Sequence, residues 1–134
     1  MTTPMTPAEI LSFADGFVTS IERGDVEAVR ACYAPDAKIW HNTDGIEQTV
    51  DQNLKMVKWL TRTMPECKYR ILRRVALENG FLQMHVLEAK RQDGQSFRLD
   101  ACVVVTMANG VISRLDEYLD SAQFAASSAP GTAR

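Results

Sequence analysis

The sequence predicts an α+β fold in which three N-terminal helices lie across a cone-shaped, curved antiparallel sheet and enclose a pocket. Three helical segments come first, and from Cys67 the spacing of apolar residues changes from helical to alternating. The pairs Asn79-Gly80, Asp93-Gly94 and Asn109-Gly110 then recur about 15 residues apart and separate four strand-like runs. Such pairs favour tight hairpins because they adopt positive φ at little cost.

The first two predicted helices meet at a corner. Thr6-Pro7-Ala8-Glu9 supplies a capping hydroxyl, a proline in the first turn and a glutamate three residues after the threonine, which predicts a helix start. Gly24 ends this helix. Asp25 can then cap a second, shorter helix that stops near Tyr33-Ala34-Pro35.

A short strand and a third helix follow. Residues 37–41 are predicted as the strand, after which residues 42–45 turn the chain into a helix that reaches about Thr63 and is ended by Pro65.

The second half of the chain reads as long strands. After the run that starts at Cys67 come the runs 81–91, 95–107 and 111–119. Each is about ten residues long, so the sheet must twist and bend. We predict a bulge near Leu72-Arg73-Arg74, where the alternation slips.

Length and composition indicate one globular domain. We expect it to span residues 1–125, followed by an Ala/Ser/Gly/Pro-rich tail at 126–134. The net charge of −2 gives no field that attracts nucleic acid or an anionic membrane, which favours a small molecule or a protein as partner. Neither a signal peptide nor a membrane span is supported, so a cytoplasmic location is expected. The three cysteines form no Cys-x-x-Cys pattern and read as buried free thiols.

The sequence lacks the motifs of several enzyme classes. There is no glycine-rich phosphate loop, no Gly-x-Ser-x-Gly elbow and no His-Glu-x-x-His, which disfavours nucleotide-driven and serine-hydrolase chemistry. The two histidines, His41 and His85, lie on predicted strands, where an imidazole can titrate near neutral pH. Taken alone, each is more often a hydrogen-bonded structural histidine at a sheet surface. Nothing at ligand spacing supplies a third ligand, so no metal is expected.

The last strand carries a carboxylate in apolar company. Alternation places one set of residues on a single face, namely Ser113, Leu115, Glu117 and Leu119. A carboxylate between Leu115 and Leu119 is poorly solvated, which suits it to exchange protons. The other face, with Asp116 and Asp120, reads as an exposed acidic edge. A single bulge would exchange the two faces.

Four segments carry a family resemblance, and they are 17–25, Tyr33-Ala34-Pro35-Asp36-Ala37, Ile39-Trp40-His41-Asn42 and 110–120. In this order of elements, residues 6–124 resemble the SnoaL-like branch of the nuclear transport factor 2 superfamily. The resemblance implies a cone-shaped α+β barrel, open at one end, with a mostly apolar cavity and a homodimer formed through the sheet. Isomerases, cyclases, hydrolases and non-enzymes share this fold, so the likeness is specific for fold and weak for activity.

Comparison with the steroid isomerases of this superfamily disfavours their reaction. Their catalytic aspartate corresponds by resemblance to His41, and their two oxyanion donors, a tyrosine and a protonated aspartic acid, correspond to Phe17 and Ala101. Only Tyr33 resembles a supporting tyrosine of some relatives. Because loss of oxyanion donors costs orders of magnitude in rate, ketosteroid isomerisation is not expected.

The limonene-epoxide hydrolases of this superfamily resemble the chain in the positions of their site residues, but several of those residues differ in chemistry. Glu117 resembles their water-activating aspartate, His41 their asparagine and Ile39 their tyrosine, whereas His85 and Gln83 replace their acid aspartate and its arginine. SnoaL-type polyketide cyclases use acid/base residues in an apolar cavity for an aldol closure, without cofactor or metal. A carboxylate and imidazoles that face one cavity would meet that need in outline.

Our hypothesis from the sequence is a cofactor-independent enzyme that acts on a small, mainly apolar molecule as a SnoaL-like cyclase, isomerase or hydrolase. Glu117 would be the base, His41 its partner or a second base, and His85 the acid. The remaining predicted ligand-binding residues are Phe17, Tyr33, Ile39, Leu60, Gln83, Leu87, Ala101, Leu115 and Leu119. The alternatives are a non-catalytic ligand-binding or dimerisation module and, less favoured, a scaffold that binds peptide or protein on its outer sheet.

Overall fold

The computed structural model of the protein describes residues 4–123, and the predicted tail at 126–134 lies outside this range. The helices are α1 (Pro7–Arg23), α2 (Val26–Ala31) and α3 (Val50–Thr63). Within residues 4–123 no helix combines the length and the apolar character needed to cross a membrane.

Six strands form one curved sheet that does not close into a full barrel. They are β1 (Tyr33–His41), β2 (Glu47–Gln48), β3 (Lys68–Leu77), β4 (Gly80–Lys90), β5 (Ser96–Ala108) and β6 (Val111–Leu119). Their order across the sheet is β2-β1-β6-β5-β4-β3. The four strands β3 to β6 are separated at the three glycine-bearing turns, and the α+β fold class is confirmed.

One pair of strands is parallel, whereas the sequence suggested an antiparallel sheet throughout. β1 runs parallel to β6, and its register places Ile39 opposite Leu115 and His41 opposite Glu117. The other neighbouring pairs are antiparallel. The pairing of β1 with β6 connects the first strand of the chain to the last one, and it places His41 directly beside Glu117.

The first two helices begin at the predicted caps, Thr6 and Asp25. The Thr6 hydroxyl accepts the Glu9 backbone N–H at 3.1 Å, and the Glu9 carboxylate accepts the Thr6 N–H at 2.8 Å, which completes a capping box. Gly24, with φ of 66°, ends α1 in the left-handed conformation. Thr49 forms a second capping box at the start of α3, after a two-residue β2 that the sequence did not predict.

The chain enters β1 earlier than predicted. α2 ends at Ala31 and Tyr33 already belongs to the strand, although Tyr33-Ala34-Pro35 was expected to close the helix. The reason is tertiary, because the Ile112 N–H donates to the Cys32 carbonyl at 2.8 Å and Tyr33 pairs with Ile112. Pro35 has no N–H to donate and lies where the register between Tyr33 and Lys38 shifts.

The predicted bulge in β3 is present. Ile71 pairs with His85, but the next pairs are Arg73 with Met84 and Arg74 with Gln83, so the register slips by one residue. In an unbroken ladder Arg73 would lie opposite Gln83. The bulge therefore aligns Arg74, rather than Arg73, with Gln83.

Two apolar clusters form the interior. The first joins α1, α2 and α3 to the strands through residues that include Ala14, Val29, Leu54 and Ile112, and the second packs around Met64, Cys67, Phe97 and Leu99. Residues of both clusters line a cavity between the helices and the concave face of the sheet.

Candidate active site

The cavity has a volume of about 110 Å³. This is on the order of a protein cavity of about 150 Å³ that holds one benzene ring. Its wall is predominantly apolar, and its apolar residues are Phe17, Val18, Ile21, Met56, Val57, Trp59, Leu60, Phe81, Leu87, Phe97, Leu99, Val103, Leu115 and Leu119.

The polar groups of the interior converge on this cavity. Among residues 4–123 four polar side chains are buried, and all four line it: His41, Asn53, Gln83 and His85. The half-buried Glu117 and the tyrosines Tyr33 and Tyr69 complete its polar lining. Buried polar groups cost free energy unless they are hydrogen-bonded, so their concentration in one place marks a site rather than ordinary packing.

Glu117 lies between two imidazoles. Its Oε1 is 3.1 Å from His41 Nε2, which is a hydrogen bond, and its Oε2 is 3.9 Å from His85 Nε2, which is too long for one. The side chains are 18%, 7% and 3% exposed for Glu117, His41 and His85. One carboxylate oxygen is thus held by His41, and the other makes no such bond to His85.

The two histidines have opposite electrostatic settings. Burial lowers the pKa of His41, but the hydrogen bond and the charge of Glu117 outweigh burial, so that the pKa is raised overall. Burial also lowers the pKa of His85, and because Glu117 is farther away its charge does not compensate. The site therefore combines Glu117 with one imidazole that readily becomes charged and one that is neutral at neutral pH.

Two tyrosines place phenol groups at the cavity. The Tyr33 hydroxyl donates to Asn53 Oδ1 at 3.5 Å, and its ring meets Phe17 edge-on with centroids 5.7 Å apart. The Tyr69 ring lies 4.7 Å from the His85 ring. Burial, followed by the charge of Glu117, raises the pKa of both tyrosines well above the usual value. Both therefore stay protonated and can donate hydrogen bonds.

The structure brings most of the predicted site residues together. The three proposed catalytic residues line the cavity, and so do Phe17, Tyr33, Leu60, Gln83, Leu87, Leu115 and Leu119. Ile39 and Ala101 do not. Ile39 is fully buried in the first cluster, and Ala101, which pairs with both His85 and Leu119, packs against the second cluster.

Two polar lining residues were missed by sequence reasoning. Asn53 interrupts an apolar helix stripe that contains Val50, Leu54 and Val57, and a polar residue on such a face is a usable signal. Tyr69 lies near the start of β3, two residues after Cys67, and the alternation that begins at Cys67 puts both residues on one side of the strand, which is a usable signal.

No cluster of three or more His, Cys, Asp or Glu side chains suited to a metal ion occurs in the described part of the chain. The polar groups that are present can accept, donate and relay protons.

Comparison with known proteins places the chain in a family. The family model of the SnoaL-like domain matches residues 14–115. Among curated proteins no match was found. Solved structures share the fold at low identity. AclR, a candidate hydroxylase from Streptomyces galilaeus, is 13% identical with a TM-score of 0.81, and the match covers 90% of this chain and 85% of that one.

Two further structures have named activities of different kinds. A candidate SnoaL-like polyketide cyclase from Shewanella denitrificans is 10% identical, with a TM-score of 0.76 and coverage of 91% and 97% of the two chains. An LEH-like epoxide hydrolase from M. tuberculosis is 14% identical, with a TM-score of 0.73 and coverage of 90% of each chain. At such identities the likeness shows the fold alone. Because the family model covers most of the chain, this protein belongs to the SnoaL-like domain family.

Proposed function

We propose that the protein is a cofactor-independent enzyme that removes a proton next to the carbonyl group of a small, mainly apolar substrate, as in SnoaL-like cyclases and isomerases. The observation that carries the proposal is the placement of Glu117 between His41 and His85 in an apolar cavity. A carboxylate and imidazoles in a site of low polarity are suited to general acid/base catalysis.

The proposed roles follow from the distances. His41 holds Glu117 Oε1, and Oε2 accepts the proton from the carbon next to the carbonyl. The electron pair of that C–H bond moves to the carbonyl oxygen and gives an enolate. A hydrogen bond from His85 Nε2–H or a tyrosine hydroxyl stabilises the enolate oxygen. In a cyclase, the enolate carbon then attacks a second carbonyl of the same molecule, and the new alkoxide takes up the proton that Glu117 had accepted, which restores the carboxylate.

The state of His85 favours carbonyl chemistry over epoxide opening. A neutral imidazole is a good hydrogen-bond donor to a carbonyl or enolate oxygen but a weak source of a full proton. Epoxide opening benefits from a stronger acid. Since the pKa of His85 is lowered, enolisation fits this site better.

Two ring compounds of matched size test the proposal. Cyclohexanone is incubated with the protein in D₂O, and exchange at the carbons next to the carbonyl is followed by mass spectrometry. Cyclohexene oxide is assayed in parallel for diol formation. We expect catalysed exchange without diol. The Glu117→Gln variant should slow exchange by at least about 100-fold, because it removes the base.

The matched control is Asp116→Asn. Asp116 is the neighbouring carboxylate, and it points away from the cavity and pairs with Arg114 at 2.9 Å. This variant should exchange at the wild-type rate. Equal exchange by wild type and Glu117→Gln would overturn the proposed base. Diol formation instead would indicate an epoxide hydrolase, and binding without turnover of either compound would indicate the non-catalytic ligand-binding module.

We also propose a cytoplasmic homodimer formed through the outer face of the sheet. Met84 and Tyr118 are exposed on that face, and the Tyr118 ring lies 5.2 Å from that of Trp40. Sedimentation should give the mass of two chains, and Tyr118→Glu should shift it toward one. Ile46→Glu, at an exposed apolar residue just before β2, is the control. A wild-type protein with the mass of a single chain would remove the dimer from the proposal.

A further inference from the structure

A line of hydrogen bonds connects the surface of α1 to the cavity. Arg74 on β3 pairs with Asp15 on α1, and its Nε donates to Gln83 Oε1 at 2.8 Å. The Gln83 Nε2 is 2.9 Å from His85 Nδ1. The Nε2 of the same imidazole then faces Glu117. The Arg74 side chain is only 12% exposed, so its bond to Gln83 is largely shielded from water, whereas Asp15 is exposed.

The direction of every bond in this line is set by chemistry. A guanidinium group only donates, so the Gln83 oxygen must face Arg74. The amide nitrogen then faces His85, and because an amide NH₂ group also only donates, His85 Nδ1 must accept. A neutral imidazole has one hydrogen, which is left on Nε2. We infer that Arg74 is a positioning residue that, through Gln83, fixes His85 as the tautomer with its hydrogen on Nε2.

The fixed tautomer matters for what His85 can do. Its single N–H points toward Glu117 and the cavity, where a substrate oxygen can accept it. An imidazolium would also carry a hydrogen on Nδ1, directed at the donor NH₂ group of Gln83, so the same contact keeps His85 neutral. Burial lowers the pKa of His85 in the first place, and the charge of Arg74 acts in the same sense against that of Glu117.

The bulge in β3 selects which arginine does this. Because the register slips after Ile71, Arg74 lies opposite Gln83, while Arg73 pairs with Met84 and is exposed. The two arginines are adjacent and chemically identical. Arg73→Met is therefore a matched control for Arg74→Met, because both substitutions remove one positive charge and shorten the side chain by the same amount.

The tautomer can be measured without any substrate. Long-range ¹H–¹⁵N correlation spectra of the labelled full chain show which ring nitrogen of His85 bears the hydrogen. We expect the Nε2–H form in wild type and in Arg73→Met. Arg74→Met should free the Gln83 side-chain amide to flip, so that its oxygen can face His85. His85 should then shift to the Nδ1–H form or to a mixture of the two tautomers. Arg74→Lys, which retains a donor, should restore the wild-type form at least in part.

A second variant covers the case in which Arg74→Met does not fold. Gln83→Glu retains a partner for Arg74, but its carboxylate can only accept, so His85 should place a hydrogen on Nδ1. The inference is overturned if wild-type His85 bears its hydrogen on Nδ1, or if a folded Arg74→Met or Gln83→Glu protein has the wild-type tautomer.

The kinetic consequence rests on the proposed function, whereas the tautomer does not. If exchange of cyclohexanone is catalysed, Arg74→Met should lower kcat by at least about tenfold with KM little changed, since a catalytic histidine in the wrong tautomer is strongly impaired. Arg73→Met should retain the wild-type kcat. A wild-type protein that shows the expected tautomer but no exchange would refute the enzymatic proposal and leave the role of Arg74 intact.

Discussion

Glu117 lies between His41 and His85, but its two carboxylate oxygens approach them at different distances. Its contact with His41 is a hydrogen bond at 3.1 Å, whereas its closest approach to His85 is 3.9 Å. Burial disfavours the charged form of both histidines. The Glu117 carboxylate outweighs burial at His41, which it contacts, but not at His85, where it is farther away and the charge of Arg74 acts against it.

The two histidines should therefore titrate on opposite sides of the ordinary histidine pKa of about 6.5. In an NMR titration of the folded protein, the midpoint of His41 should lie above this value and that of His85 below it. Because Glu117 raises the pKa of both, Glu117→Gln should move both midpoints to lower pH. Titration of His85 at a higher pH than His41 would show that this electrostatic account is wrong.

The same shifts set the pH dependence of stability. The contribution of His41 is fully present below about pH 6.5 and is lost as pH rises through its raised pKa, because only the charged form is stabilised. The contribution of His85 is present above about pH 6.5 and is lost as pH falls through its lowered pKa. The free energy that Glu117→Gln costs should thus be largest on the acid side, about 2 kcal/mol for a charged hydrogen bond, and should shrink as pH rises.

At the scale of the elements, the turn before β4 constrains the sheet most tightly. Gly80 has a φ of 154°, and a Cβ atom at this position would lie 1.8 Å from the carbonyl oxygen of Val105. The backbones of Gly80 and Val105 belong to the paired strands β4 and β5, so neither residue can move without disturbing the hydrogen bonds between these strands. Gly94 also has a positive φ, but a Cβ atom there would meet nothing within 4 Å.

Gly80→Ala should consequently destabilise the protein by about 3 kcal/mol or more, through strain and overpacking together. Gly94→Ala should cost only about 1 kcal/mol, from the positive φ alone. Urea unfolding of both variants measures the difference. Equal effects would mean that the backbone contact with Val105 relaxes more easily than the geometry indicates.

Local chemistry explains which elements could be predicted. The Asn-Gly and Asp-Gly pairs define turns by themselves, so β3 to β6 were predicted, and alternation correctly placed Leu115, Glu117 and Leu119 on one face. The start of β1 at Tyr33 depends on Ile112, which is remote in sequence, and could not be read locally. The parallel pairing of β1 with β6 likewise depends on the whole chain.

The same limit applies to the site. His85 was found as one of two histidines on predicted strands, and Gln83 through the resemblance to limonene-epoxide hydrolases. Ile39 was assigned to the cavity by resemblance, but it packs into the core. Neither the resemblance nor the face of the strand shows whether a side chain reaches the cavity or is buried behind it. The link from Arg74 to His85 could not be predicted, since the bulge was placed only to within three residues and either arginine could have faced inward.

At the scale of the whole molecule, the cavity lies between two separately packed clusters, so the fold is held together without filling it. A ligand that enters should add stability, because it binds the folded chain alone. At a concentration of 100 times its Kd, the gain is about 2.7 kcal/mol, or roughly 10 °C in Tm for a domain of this size.

Thermal unfolding with cyclohexanone at increasing concentration measures this effect. Leu60→Trp should abolish the rise in Tm, because Leu60 lines the cavity and a larger side chain would occupy it. An unchanged Tm in wild type at saturating ketone would count against the cavity as the place where ligands bind.

The division of labour between sheet and helices has an evolutionary consequence. Glu117, His41 and His85 all come from strands, while Met56, Val57, Trp59 and Leu60 form a wall supplied by one helix. Mutations in that helix can reshape the space offered to a molecule without displacing the proton-handling groups. Under the proposed function, substitutions at these α3 positions would change which substrates fit while leaving the proposed acid/base residues in place, both in evolution and in engineering.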